Sequence, residues 1–153
     1  MAAELKGALD QVKTDIAAVT NVQSVTLGPI LDAIPEAQAE AASVSITLTN
    51  GRPLNDALTS TSEAHRIGVR MYWLLQPITV ELVEQNLATM WDLVMTKFFG
   101  SDADRNLSEN CTLALVGTKD GSEPYRCGYE VIGGKQHRVM IIPIEVLLDT
   151  HSV

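Results

Sequence analysis

The residues able to ligate a metal, attack a substrate or shuttle a proton are few in this 153-residue chain and stand far apart. Metal binding needs imidazoles, thiolates and carboxylates at ligand spacing. Here His65, His137 and His151 are scattered, no HExxH occurs, and Cys111 and Cys127 form no CxxC pair. The histidines read as solvent-facing or hydrogen-bonded strand residues. The two cysteines read as reduced, small apolar packers rather than a disulfide framework. A GxSxG elbow for nucleophilic catalysis is missing. Gly117-Thr118-Lys119-Asp120-Gly121-Ser122 lacks the GK[ST] ending that places a lysine and a hydroxyl on phosphate and magnesium, so it reads as a hairpin turn, as does Gly133-Gly134. The carboxylate pairs Glu81/Glu84 and Asp102/Asp104 sit at a helix start and in a loop, where capping and solvation account for them. Asn106-Leu107-Ser108 and Asn110-Cys111-Thr112 match the glycosylation sequon. That match has meaning only behind a secretory signal, which Met1-Ala2-Ala3-Glu4-Leu5-Lys6 is not expected to open. No catalytic, cofactor-binding or metal-binding residue is nominated, and the chain reads as a non-enzyme.

Charge narrows the partners. Nineteen Asp and Glu against eleven Lys and Arg give a formal net charge of −8 and a pI near 4.7. Tight nucleic-acid binding draws on counterion release at a basic stripe, so specific binding is not expected; an acidic surface would let DNA slide past it. Hydrophobic residues make up 46% of the chain, enough for one core at this length without a metal or disulfide staple. The apolar run Met71-Tyr72-Trp73-Leu74-Leu75 stops at Gln76, far short of a membrane span.

Periodicity supplies the elements that must position these residues. Leu5, Leu9, Val12, Ile16 and Val19 recur at spacings of three and four, predicting an amphipathic helix over residues 1–20. Residues 23–27 are a short strand ended by Gly28-Pro29, and the Ala/Glu-rich stretch 32–42 stays open between a loop and a helical turn begun by Pro35. Val44, Ile46 and Leu48 alternate with Ser and Thr in a half-buried strand that Asn50-Gly51 is expected to end. The polar residues 52–63 are expected to form an extended loop. A strand over residues 64–76 puts Ile67, Val69, Met71, Trp73 and Leu75 on one face and Arg66, Arg70 and Tyr72 on the other, before Pro77 closes it. With Thr79 as N-cap, a long helix spans 80–99. Val80, Val83, Leu87, Met90, Val94 and Phe98 form its main stripe, and Leu82, Trp91, Leu93 and Phe99 widen it, so the helix is either sandwiched or meets another subunit. Strands over 111–116, 125–132 and 136–148 complete the chain, with an extended loop over 117–124 and a flexible tail over 149–153. The order predicts a single α+β domain: an antiparallel or mixed sheet of about five strands, packed by the long central helix and the N-terminal helix, with a C-terminal β-hairpin.

Five features, taken together, carry a resemblance. They are the helix from Leu5 to Val19; the stretch from Gly28 to Pro35; the strand pair Val44 to Leu48 and Ile67 to Leu75; the helix from Val80 to Phe99 that follows directly; and the closing run Tyr129-Glu130-Val131-Ile132-Gly133-Gly134-Lys135-Gln136-His137-Arg138-Val139-Met140-Ile141-Ile142-Pro143-Ile144-Glu145-Val146. This order resembles the tail terminator (tail completion) proteins of long-tailed bacteriophages. The resemblance implies a structural virion protein of the tail and neck, assembled in the host cytoplasm. It would form a homo-oligomeric ring, typically hexameric, at the head-proximal end of the tail tube. There it would stop tube polymerisation, contact the tail tube protein, and join the tail to the head completion or connector protein. Genomic DNA would pass through the lumen without specific binding, and neither cofactor nor membrane is implied. On that footing Tyr72, Trp91, Leu93 and Phe99 are expected at the subunit interface, and Arg52, Asn55, Asp56, Lys119 and Asp120 in axial contacts between rings. Other readings are a neck or head-completion adaptor, a tube subunit, and, from a different class, a small soluble ligand-binding or enzymatic α+β domain.

Overall fold

The computed structural model describes residues 3–30, 39–53, 60–99, 106–108, 111–115 and 124–151. In chain order the elements are α1 (Ala3–Ala17), β1 (Val22–Leu27), β2 (Ala42–Pro53), β3 (Ser60–Leu74), a 3-10 turn (Pro77–Thr79), α2 (Val80–Phe99), β4 (Asn106–Ser108), β5 (Cys111–Leu115), β6 (Arg126–Ile132) and β7 (Lys135–His151). They build one sheet in the order β1-β2-β3-β7-β5-β4. β6 pairs with the first half of β7, on the same side as β5, which pairs with the second half. β1 runs parallel to β2 and the other pairs are antiparallel, so the sheet is mixed. The α+β class and the two helices agree with the sequence reading. Five strands have six residues or more, and the short β4 and β5 extend the sheet beyond them.

The pleat of the long strands explains where the core lies. Successive side chains on a strand point to opposite faces. Register then places Val44 beside Met71 and Ile46 beside Val69, and in turn Met71 beside Met140, Val69 beside Ile142 and Ile67 beside Ile144. All are buried on one face, in a single cluster with Val12 and Ile16 of α1 and Val83, Leu87, Met90, Val94 and Phe98 of α2. Both helices therefore cover this face. The α2 stripe matches the sequence reading except at Val80, which is exposed. Asn86 Nδ2 donates to the Ala39 carbonyl (2.8 Å), tying α2 to the crossover between the parallel strands β1 and β2.

Pairing overrides polarity at three places. Asn50-Gly51 does not end β2: a bulge between Leu48 and Asn50 absorbs one residue and the ladder resumes to Pro53, opposite Glu63. A Cβ at Gly51 would come within 2.6 Å of His65 Nδ1, so a larger residue there would have to displace the imidazole. The expected 52–63 loop is thus strand at both ends, and residues 54–59 lie outside the described residues. The expected flexible tail is strand through His151, because β3 begins at Ser60 and gives it a partner. In each case hydrogen bonds to a neighbouring strand, absent from any local pattern, decide the outcome. Thr79, expected as the N-cap of α2, ends the preceding 3-10 turn instead, and its hydroxyl donates to the Gln76 carbonyl (3.1 Å).

Candidate docking surfaces

Among the described residues no helix covers the second face of the sheet. The pleat sends there Ser24, Ser43, Ser45 and Thr47 from β1 and β2, Arg66, Gly68, Arg70 and Tyr72 from β3, and His137, Val139, Ile141 and Glu145 from β7. Arg126, Gly128 and Glu130 of β6 and Arg52 of β2 fall on it by the same register. Four of the six arginines in an acidic chain thus share one face with two glutamates. Glu145, buried, lies 3.7 Å from Arg52 and 3.8 Å from Arg66, while Arg70 Nη1 donates to Glu130 (3.2 Å). Arg126 makes no ion pair among the described residues.

A shallow depression of about 290 Å³ opens between Arg70 and Arg126, which flank Ile141 in one cross-strand row. Its floor is Val139 and Ile141, its rim includes Glu130, and Gly128 leaves it unfilled: a Cβ there would meet nothing within 4 Å. Alongside, Tyr72 is only 4% exposed, with His137 edge-on at 6.4 Å between ring centroids. Burial pushes the Tyr72 phenol up, helped by the Glu130 carboxylate, so it stays neutral.

A different surface gathers at one end of the helix-covered side. The Leu75 amide donates to the Gln136 carbonyl (3.0 Å), and Gln136 pairs with Val131, so the turn leading into α2 leaves the sheet beside the β6–β7 hairpin. Ile78 is 91% exposed, Val131 70% and Tyr129 61%, with Val80 and Leu82 also open to solvent. Glu81 lies between those last two and has no ion pair among the described residues. Arg138 ties this end together. Arg138 donates through Nε and Nη2 to the two oxygens of Glu84 (3.0 and 3.2 Å) and through Nη1 to the Gly128 carbonyl (3.1 Å), and it stacks over Tyr129 at 4.6 Å. The bond to Glu84 raises the Arg138 guanidinium above its ordinary value.

The residues nominated from sequence do not form one surface. Tyr72 sits on the face opposite the helices rather than beside α2. Trp91 packs against Tyr125 of its own chain (4.6 Å between centroids, planes tilted by 42°), and Leu93 and Phe99 pack, partly buried, against the core. Their apolar width is thus absorbed largely inside the subunit. Arg52 lies in β2 on the face opposite the helices, and Asn55, Asp56, Lys119 and Asp120 lie outside the described residues. Sequence reading missed Ile78, Tyr129 and Val131. The signal was present in Ile78, an apolar residue inside a Pro-led turn where no stripe claims it. His65 and His137 fall about 30 Å apart along the β3–β7 ladder, opposite Val146 and Leu74, and His65 bonds Glu63 (2.8 Å). Among the described residues no three His, Cys, Asp or Glu side chains converge, and no helix is long and apolar enough to cross a membrane. No protein-family model matches this chain, and no curated protein is significantly similar to it.

Proposed function

We propose that this chain is a tail terminator subunit of a long-tailed bacteriophage. It works by closing into a ring, typically of six copies, at the head-proximal end of the tail tube. The observation that carries the reading is that one subunit bears two unlike surfaces on opposite sides of its sheet: a face with four arginines that no helix covers among the described residues, and an apolar end at the start of α2. Unlike surfaces meet head to tail, and a head-to-tail contact repeated around an axis closes into a ring when its rotation allows. The element order that resembles the family supports the same reading.

On this account the ring covers the surface on which further tube subunits would add and offers its other face to the head connector. DNA passes through an annulus whose subunits each carry −8, which favours sliding over grip. Negative-stain microscopy of the purified protein, alone and mixed with tail tubes, tests it: closed rings that cap tube ends are expected. Open filaments would favour a tube subunit, since the same two surfaces then meet with a rotation that does not close. Isolated globules at high concentration would overturn the proposal.

A further inference from the structure

We infer that the depression between Arg70 and Arg126 on the arginine-bearing sheet face is the socket of the subunit contact, and that it receives the start of α2 from a second copy of this chain, with Glu81 as the central group. The inference rests on the ring reading and adds to it which surfaces meet.

The socket sets two arginines and the Glu130 carboxylate around an aliphatic floor, so it carries one positive charge in excess. Arg70 and Arg126 stand on the two strands flanking β7, about 10 Å apart at the backbone, with Ile141 between them. Their guanidiniums can therefore close on one carboxylate from both sides. Arg70 is shared with Glu130, but Arg126 has no ion-pair partner among the described residues, and Gly128 keeps the space between them open. Val139 and Ile141 beneath ask for apolar atoms beside the charge.

The plug has the complementary composition. Glu81 projects from the first turn of α2, where the helix dipole favours its charge, and Ile78, Val80 and Leu82 around it are exposed. A carboxylate ringed by solvent-facing aliphatic side chains matches two arginines over a valine–isoleucine floor in both charge and polarity. Socket and plug lie on opposite sides of the same sheet, so one molecule cannot satisfy its own pair, and each copy must take the plug of the next. Apolar contact supplies the affinity, and the charge pair fixes register and partner choice.

Charge exchange tests this by sedimentation velocity across a concentration series. Arg126→Glu and Glu81→Arg are each expected to move the assembly midpoint about tenfold or more to higher concentration. The chain carrying both, Glu81→Arg with Arg126→Glu, is expected to assemble near the wild-type midpoint, a rescue that general damage to the fold would not give. Gly128→Val fills the socket without touching charge; it is expected to melt no lower than wild type and to assemble poorly. Wild-type assembly in both single variants, or a double variant that stays dissociated, overturns the inference while leaving the ring standing. A wild-type chain that never assembles removes the ring reading and this one together. If Arg126→Glu instead abolishes binding of a 30-base-pair DNA duplex and leaves assembly unchanged, the face is a nucleic-acid surface and the inference fails.

Discussion

His137 shows how a single side chain is set by its surroundings. It is 2% exposed on the sheet face opposite the helices, its ring perpendicular to Tyr72 and its Nδ1 without a hydrogen-bond partner among the described residues. Burial depresses its basicity below the ordinary 6.5, only partly offset by the backbone of Lys135 and Glu130. The unfolded chain therefore takes up the proton first. Stability is complete above about pH 6.5 and is lost as pH falls below that value toward the folded one. Thermal melts across that range are expected to show a falling midpoint in wild type and a flatter profile in His137→Gln. Parallel profiles would place the acid sensitivity in other groups. From sequence, His137 was legible as a strand residue but not as a buried one, because its ring neighbour Tyr72 lies more than 60 positions away in the chain.

Among the elements, the β6–β7 hairpin does the most positioning. It holds Gly128 and Arg126 at the depression proposed as the socket, and from β7 it sends Arg138 to clamp α2 through Glu84. Its turn is Gly133-Gly134, both residues at positive φ (61° and 77°), the conformation that a two-residue hairpin of native twist requires at both positions. Replacing both with alanine is expected to cost about 2–4 kcal/mol, at roughly 1–2 per left-handed residue, whereas Gly133→Asn is expected to cost less than 1 kcal/mol. Urea denaturation checks this: the alanine pair should lower the midpoint without altering the slope. This turn was readable from two adjacent letters. The extent of the strand it begins was not, since β7 continues to His151 only because Ser60–Leu74 lies beside it throughout.

At the level of the whole molecule, the three most exposed large apolar side chains among the described residues, Ile78, Val131 and Tyr129, lie at one end, and on the proposed ring that end is where assembly should be most sensitive. Ile78→Asp changes a side chain that touches almost nothing within the subunit, so its effect on the melting midpoint should be within about 0.5 kcal/mol. On the proposed ring assembly it is expected to abolish the assembled species in sedimentation velocity; an unchanged oligomer would remove the α2 start from the contact. Trp91→Asp is a different experiment. It deletes the ring that packs against Tyr125 and, in part, the core, so it should destabilise the monomer by about 2–4 kcal/mol and report on folding rather than assembly.

The chain's own letters determine both helices, the alternation of the core strands and the glycine turn, because those signals are local: a 3.6-residue or two-residue period, a proline stop, a pair of residues tolerant of positive φ. Which strands lie side by side is not local. Only the assembled sheet decides that Asn50-Gly51 continues a ladder, that Tyr72 faces away from the helices, and that Arg70 and Arg126, far apart in sequence, straddle one isoleucine. Hydrogen-bond partners and burial are properties of pairs of distant segments, so no window along the chain contains them.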